Sequence, residues 1–140
     1  MKPRKTLRSF VAASLLWLVC VPSLAADVES CLGNALTTKE MTACISKATD
    51  EANGDLVQTL NTLRSERSSG DRRLLRDAQR AWETYREAHC RAVESLYAGG
   101  SMGRMQRIGC IGDLARKRVA EIHNDYDDVL SKHQVKPEQK

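Results

Sequence analysis

Phenylalanine is missing from almost the whole of this 140-residue chain, the single copy being Phe10. An interior built without it relies heavily on alanine. Small faces of that kind let helices approach closely but bury less apolar area per residue. No stretch alternates apolar and polar residues with a period of two, which argues against a half-buried sheet and for an all-α fold. No internal repeat or low-complexity tract divides the chain, so one domain is expected. A cofactor fingerprint, a nucleophile–base pair and a paired-carboxylate motif placed in a pocket are missing too. The chain therefore reads as a non-enzyme with no cofactor, whose work is binding. There is no Cys-x-x-Cys, which argues against a zinc site.

A charge excess of one sign is the next absence. The chain has 22 Lys and Arg against 18 Asp and Glu. Lys2, Arg4, Lys5 and Arg8, however, stand in a segment laid out like an export signal. An apolar run follows over residues 10–21, then Pro22 and Ser23-Leu24-Ala25, with small residues where a signal peptidase reads. A helical span needs roughly 20 residues, so the run makes no stable membrane anchor. Cleavage is expected after Ala25 or Ala26, giving a signal peptide at 1–25 and a periplasmic or secreted protein. Cys20 offers lipidation as an alternative, opposed by Val19, which is not the small residue such processing prefers. Losing four basic residues and no acidic one leaves 18 of each sign. A uniformly basic nucleic-acid surface is thereby excluded, and Arg72, Arg73, Arg76 and Arg80 read as a solvated helix face.

Four cysteines remain after export: Cys31, Cys44, Cys90 and Cys110. An even number in a small exported chain reads as two disulfides. Four cysteines formally allow three pairings. Spacing favours Cys31–Cys44 and Cys90–Cys110, because their midpoints fall at Thr37-Thr38 and at Gly99-Gly100. Both midpoints suit turns, so each pair would sit across an antiparallel hairpin. On the chain-entropy model each bridge contributes about 3 kcal/mol, less any strain.

In chain order, residues 27–35 suit a helical turn or two around Cys31. Thr37 or Thr38 can cap a helix, with Glu40 and Met41 in capping-box range. Met41, Cys44, Ile45, Ala48, Ala52, Leu56, Leu60 and Leu63 then carry an apolar stripe to about Ser65, interrupted by Gly54, which reads as a bend or a close contact. Residues 65–70 read as a connection, and Asp71 as the N-cap of a helix running to Leu96 or Tyr97. On that helix Leu75, Ala78, Trp82, Tyr85 and His89 fall at three- and four-residue steps and share a face. It is read as the central helix, with Trp82 and Tyr85 as core anchors. Residues 98–103 read as a glycine-rich loop. A third stripe, Ile108, Ile111, Ala115, Val119, Ile122, Tyr126 and Val129, ends near Ser131. The expected architecture is a small antiparallel bundle of three main helices plus a short N-terminal helical segment, stapled by two disulfides. It occupies residues 27–132, with a disordered tail at 133–140.

Each candidate site has a plainer reading beside it. His89 and Cys90 are adjacent on a helix and do not face one another, so they make no catalytic dyad. His123 and Asp127 are four apart, but two ligands do not close a metal site. Glu121, Asp125 and Asp128 form either a solvated helix end or an acidic patch for a basic partner. The loop of Gly99, Gly100, Ser101, Met102, Gly103 and Arg104 is the best functional candidate, its base held by the Cys90–Cys110 bridge. The plainer alternative is a helix connection whose glycines only satisfy turn geometry. The partner-binding set is therefore Tyr97, Gly99, Gly100, Ser101 and Arg104 with Glu121, Asp125 and Asp128.

Taken together, Cys31, Glu40-Met41-x-x-Cys44, Ala78-Gln-x-Ala-Trp82-x-x-Tyr85-Arg86-x-x-x-Cys90, Gly99-Gly100-Ser101 and Cys110 resemble the LprI-like lysozyme-inhibitor domain family. The resemblance covers nearly everything after the signal. It implies a small helical bacterial protein, secreted or periplasmic, whose partner is another protein. On this reading the protein binds and inhibits a lysozyme-type muramidase: the bridged loop enters the cleft while acidic residues of the last helix meet a basic surface. The alternative is an immunity protein or adaptor for another peptidoglycan-targeting toxin or envelope complex. Oligomeric state is left open.

Overall fold

A computed structural model describes residues 24–98 and 100–134. Most of the expected signal peptide, including Cys20, lies outside these residues, as do Gly99 and residues 135–140. Four helices follow in order: α1 (Leu24–Asn34), α2 (Thr38–Ser65), α3 (Ser69–Ser95) and α4 (Ser101–Gln134).

The helix starts are set by local chemistry. Thr37 caps α2 in a complete capping box: the Glu40 N–H donates to Thr37 Oγ1 at 3.2 Å, and the Thr37 N–H donates back to Glu40 Oε2 at 2.9 Å. The Leu36 N–H reaches the same oxygen at 2.9 Å. These donors, led by the Leu36 N–H and then the Thr37 hydroxyl and N–H, hold the Glu40 carboxyl below its ordinary value of 4.5. A depressed carboxylate stabilises the fold above its unfolded pKa, and the contribution fades as pH falls through the lowered value. The start of α2 should therefore fray only as pH falls from 4.5 through that lowered value, and Glu40→Gln, which keeps an acceptor but does not titrate, should flatten that acid limb in helicity measured against pH.

Ser68, rather than Asp71, caps α3. Its hydroxyl oxygen accepts the Asp71 N–H at 3.2 Å, and the hydroxyl donates to Asp71 Oδ2 at 2.8 Å. The serine supplies the cap and the aspartate sits in the first turn, where its charge suits the helix dipole. Ser101, Met102 and Gly103 likewise belong to α4 and not to a loop. The last helix also runs past Ser131, breaking helical geometry once at Tyr126 (φ −130°, ψ 26°), so His133 and Gln134 are helical rather than part of a tail.

Helix α4 is the element that α2 and α3 both pack on, not the helix carrying residues 78–90, and α1 packs on α2. It runs parallel to α2, with Gly109 against Ile45 and Gly112 against Thr49, and antiparallel to α3, with Cys110 bonded to Cys90. Ala52, Leu56, Leu60 and Leu63 of α2 meet Ala115, Ile122 and Leu130 of α4 in the core, with Leu75, Trp82 and Tyr126 packed at its edge. The α2 residues belong to the stripe expected there, as do Ala115 and Ile122 of α4, whereas Leu130 lies outside the expected α4 stripe. Gly54 is neither a bend nor a close contact: it is exposed within α2, and a Cβ there would meet nothing within 4 Å.

The stripe on α3 is rotated from its expected position. Leu75, Gln79, Trp82, Arg86 and Cys90 face inward, while Ala78, Tyr85 and His89 are exposed. Tyr85 is 54% exposed and stacks on His89 at 5.5 Å between ring centroids, so it is not a core anchor. The inward polar residues find partners, save for the buried Gln79 Oε1. Arg86 donates to Asn53 Oδ1 of α2 at 2.9 Å while its guanidinium lies 4.7 Å from the Trp82 ring centroid. Buried Gln79 donates to Glu83 at 3.1 Å. Trp82 is half-buried and also lies under Arg118 of α4.

Candidate functional site

Both disulfides take the expected pairing, with Cα–Cα separations of 5.8 Å for Cys31–Cys44 and 5.6 Å for Cys90–Cys110. The second fixes the base of the turn between α3 and α4. As α3 ends, the Leu96 N–H donates to Val93 O at 3.2 Å and the Tyr97 N–H to Glu94 O at 3.1 Å. Ala98 then takes a left-handed backbone (φ 51°), unlike any other non-glycine among the described residues. That conformation costs an L-residue about 1–2 kcal/mol and survives only where its surroundings enforce it. The Arg104 N–H to Gly100 O bond, at 3.3 Å, opens α4.

Packing beneath the turn supplies that enforcement. Gly103 is buried, and a Cβ there would lie 3.0 Å from Glu94 O and 3.4 Å from Tyr97 Cβ. Its glycine thus lets the first turn of α4 press against the last turn of α3; it is not a flexible loop glycine. Arg107 of α4 reaches across to Glu87, and to Glu94 at 3.4 Å, both on α3.

The turn presents apolar side chains to solvent: Leu96 is 80% exposed, Met102 45% and Tyr97 43%. Large apolar groups held out on a rigid base mark a contact surface more than scattered ones do. Of the expected partner-binding residues, Tyr97, Gly100, Ser101 and Arg104 share this turn and are exposed, while Gly99 lies outside the described residues. Leu96 and Met102 are absent from the expected set, although two large apolar residues flanking a glycine turn are a readable signal. Leu36, 91% exposed between α1 and α2, is displayed at the same end of the bundle.

Glu121, Asp125 and Asp128 do not join this surface. Ser101 and Glu121 lie on one helix, about 30 Å apart at 1.5 Å of rise per residue. Glu121 is engaged by Arg118 at 2.8 Å, while Asp125 and Asp128 are exposed toward the opposite end. The turn and this acidic group therefore form two separate surfaces of the bundle. Oxidised Cys90 is no nucleophile, and no three His, Cys, Asp or Glu side chains among the described residues converge as a metal set. What the turn offers a partner is shape, apolar area and the Arg104 charge.

A family described as "Lysozyme inhibitor LprI" matches residues 31–122, a span that holds both disulfides, the Trp82 helix face and the turn. An uncharacterized protein of Rhizobium meliloti (strain 1021) is 29% identical over 124 residues, covering 79% of this chain and 89% of that protein. No solved structure matches. Among the described residues no helix is long and apolar enough to cross a membrane. The bridged four-helix frame and the match from Cys31 through Ile122 place this chain in the LprI lysozyme-inhibitor family.

Proposed function

We propose that this chain is an exported, non-enzymatic inhibitor that blocks a lysozyme-type muramidase by seating the α3–α4 turn in the enzyme's cleft. The observation that carries this reading is the exposed Leu96, Tyr97 and Met102 on a turn clamped by Cys90–Cys110. A rigid knob loses little conformational freedom on binding, so its apolar burial converts efficiently into affinity. Two disulfides suit an oxidising compartment outside the cytoplasm, and removal of the signal after Ala25 or Ala26 would leave all four helices largely whole. The family's inhibitory role supports the choice of target. Glu121, Asp125 and Asp128, far along α4 from the turn, would meet the enzyme's surface outside the cleft.

The test is inhibition of a c-type lysozyme by the oxidised chain lacking residues 1–26. Leu96→Asp with Met102→Asp should weaken inhibition by about 10- to 100-fold, as for the loss of interface hot spots. Melting temperature should stay unchanged, because both side chains already face water. Full inhibition by this variant would remove the turn from the mechanism. No inhibition by the unaltered chain would send the same turn to another envelope protein.

A further inference from the structure

We propose a second binding site, independent of the turn: the groove between α1, α2 and α4 takes a cationic amphipathic peptide segment. The groove has a volume of about 750 Å³, in the upper part of the ~300–1,000 Å³ range of ligand sites. Val28 and Leu32 of α1 form one wall, Ile45, Ala48 and Ala52 of α2 the other, and Gly109 of α4 the floor. No residue of α3 lines it. Its α2 wall runs from Ile45 to Asp55, about 15 Å of helix. That shape suits a length of chain with several apolar side chains better than a compact ligand.

The rim decides the charge of the occupant. Glu29, Glu51, Asp55 and Asp113 stand around the opening with Arg116 the one cation among the described lining residues. Arg116 is paired with Asp113, and Glu51 lies 3.8 Å from Lys47. Glu29 and Asp55 have no ion-pair partner among the described residues. An apolar trough edged by unneutralised carboxylates favours lysine or arginine beside the apolar groups it buries. A fatty acid or anionic lipid would bring its head group against the same carboxylates and be repelled.

The experiment measures fluorescence anisotropy of a labelled Leu–Lys amphipathic peptide, and of its Leu–Glu counterpart, on the oxidised chain lacking residues 1–26. The Leu–Lys peptide should bind at least about 10-fold more tightly, with affinity falling as salt rises, since exposed charges are screened. Gly33→Trp fills the groove at little risk to the fold, because a Cβ at Gly33 meets nothing within 4 Å. It should weaken binding about 10-fold while melting temperature and lysozyme inhibition through the turn stay unchanged. Glu29→Lys with Asp55→Lys should reverse the preference between the two peptides. Equal binding of the peptides, an unchanged affinity in Gly33→Trp, or palmitate binding that competes and ignores the charge reversal would each overturn the proposal. Failure here leaves the turn mechanism untouched, because Leu96 and Met102 line no part of the groove.

Discussion

Gly112→Ala is expected to destabilise the bundle by about 1–3 kcal/mol, the cost of forcing extra volume into a packed contact. The usual expectation has the opposite sign, since alanine in a helix interior is about 1 kcal/mol more favourable than glycine. Position decides. A Cβ at Gly112 would lie 2.7 Å from Thr49 Oγ1 and 3.1 Å from Thr49 Cα, so α4 would have to withdraw from the α2 backbone itself. Withdrawal would also stretch the bond from the Thr49 hydroxyl to Ile108 O, now 3.0 Å. Gly54→Ala is the control on α2, with open space around its Cβ, and should stabilise by up to about 1 kcal/mol. Adding Thr49→Ala to Gly112→Ala removes the hydroxyl but leaves the crowding against the α2 backbone, so it should recover part of the loss. Urea unfolding of the four proteins tests this. If Gly112→Ala matched or exceeded the parent in stability, the close crossing of α2 and α4 would be wrong.

Removing the Cys90–Cys110 bridge should be the more damaging of the two disulfide losses. On chain entropy alone the bridges are nearly equal, at about 3 kcal/mol each. Their loops span sequence separations of 20 and 13 residues, which differ by only a few tenths of a kcal/mol under logarithmic scaling. What each bridge holds is different. Cys90 is fully buried between α3 and α4, and α3 otherwise keeps its place through buried Gln79, half-buried residues and ion pairs. Cys31–Cys44 ties down α1, which packs on α2 at the margin of the bundle. Cys90→Ala with Cys110→Ala should therefore lower the unfolding free energy by about 3 kcal/mol and abolish inhibition by freeing the turn. Cys31→Ala with Cys44→Ala should spare inhibition, and disordering α1 should cost the groove its peptide binding. Thermal melts and both binding assays on the two double variants read this directly. The reverse order would mean that α1, not the turn, carries the inhibitory contact.

The periodic spacing of Cys44, Ala52, Leu56, Leu60 and Leu63 marks the buried face of α2 without help from the rest of the chain, because a helix repeats every 3.6 residues whatever it packs against. The Thr37–Glu40 box is legible for the same reason, its hydrogen bonds reaching only three residues. At α3 the same logic fails. Reading by hydrophobicity favours Ala78 and Tyr85 over Gln79 and Arg86, yet the latter pair turns inward. Arg86 does so because Asn53, 33 residues earlier, accepts its hydrogen bond and Trp82 lies beneath its guanidinium.

The all-helical class, helix number, the disulfide pairing and the family resemblance all rest on chemistry within a few residues, on hairpin symmetry or on matched motifs, and the amino-acid order alone determined them. Tertiary structure decided the rest. It put α4 at the centre, because Gly109 and Gly112 let α2 come close on one side while Cys110 ties α3 on the other. It parted the α3–α4 turn from Glu121, Asp125 and Asp128 along the length of one helix. It also opened the acidic-rimmed groove, whose walls come from three helices and whose shape depends on the side chains each one leaves facing the others.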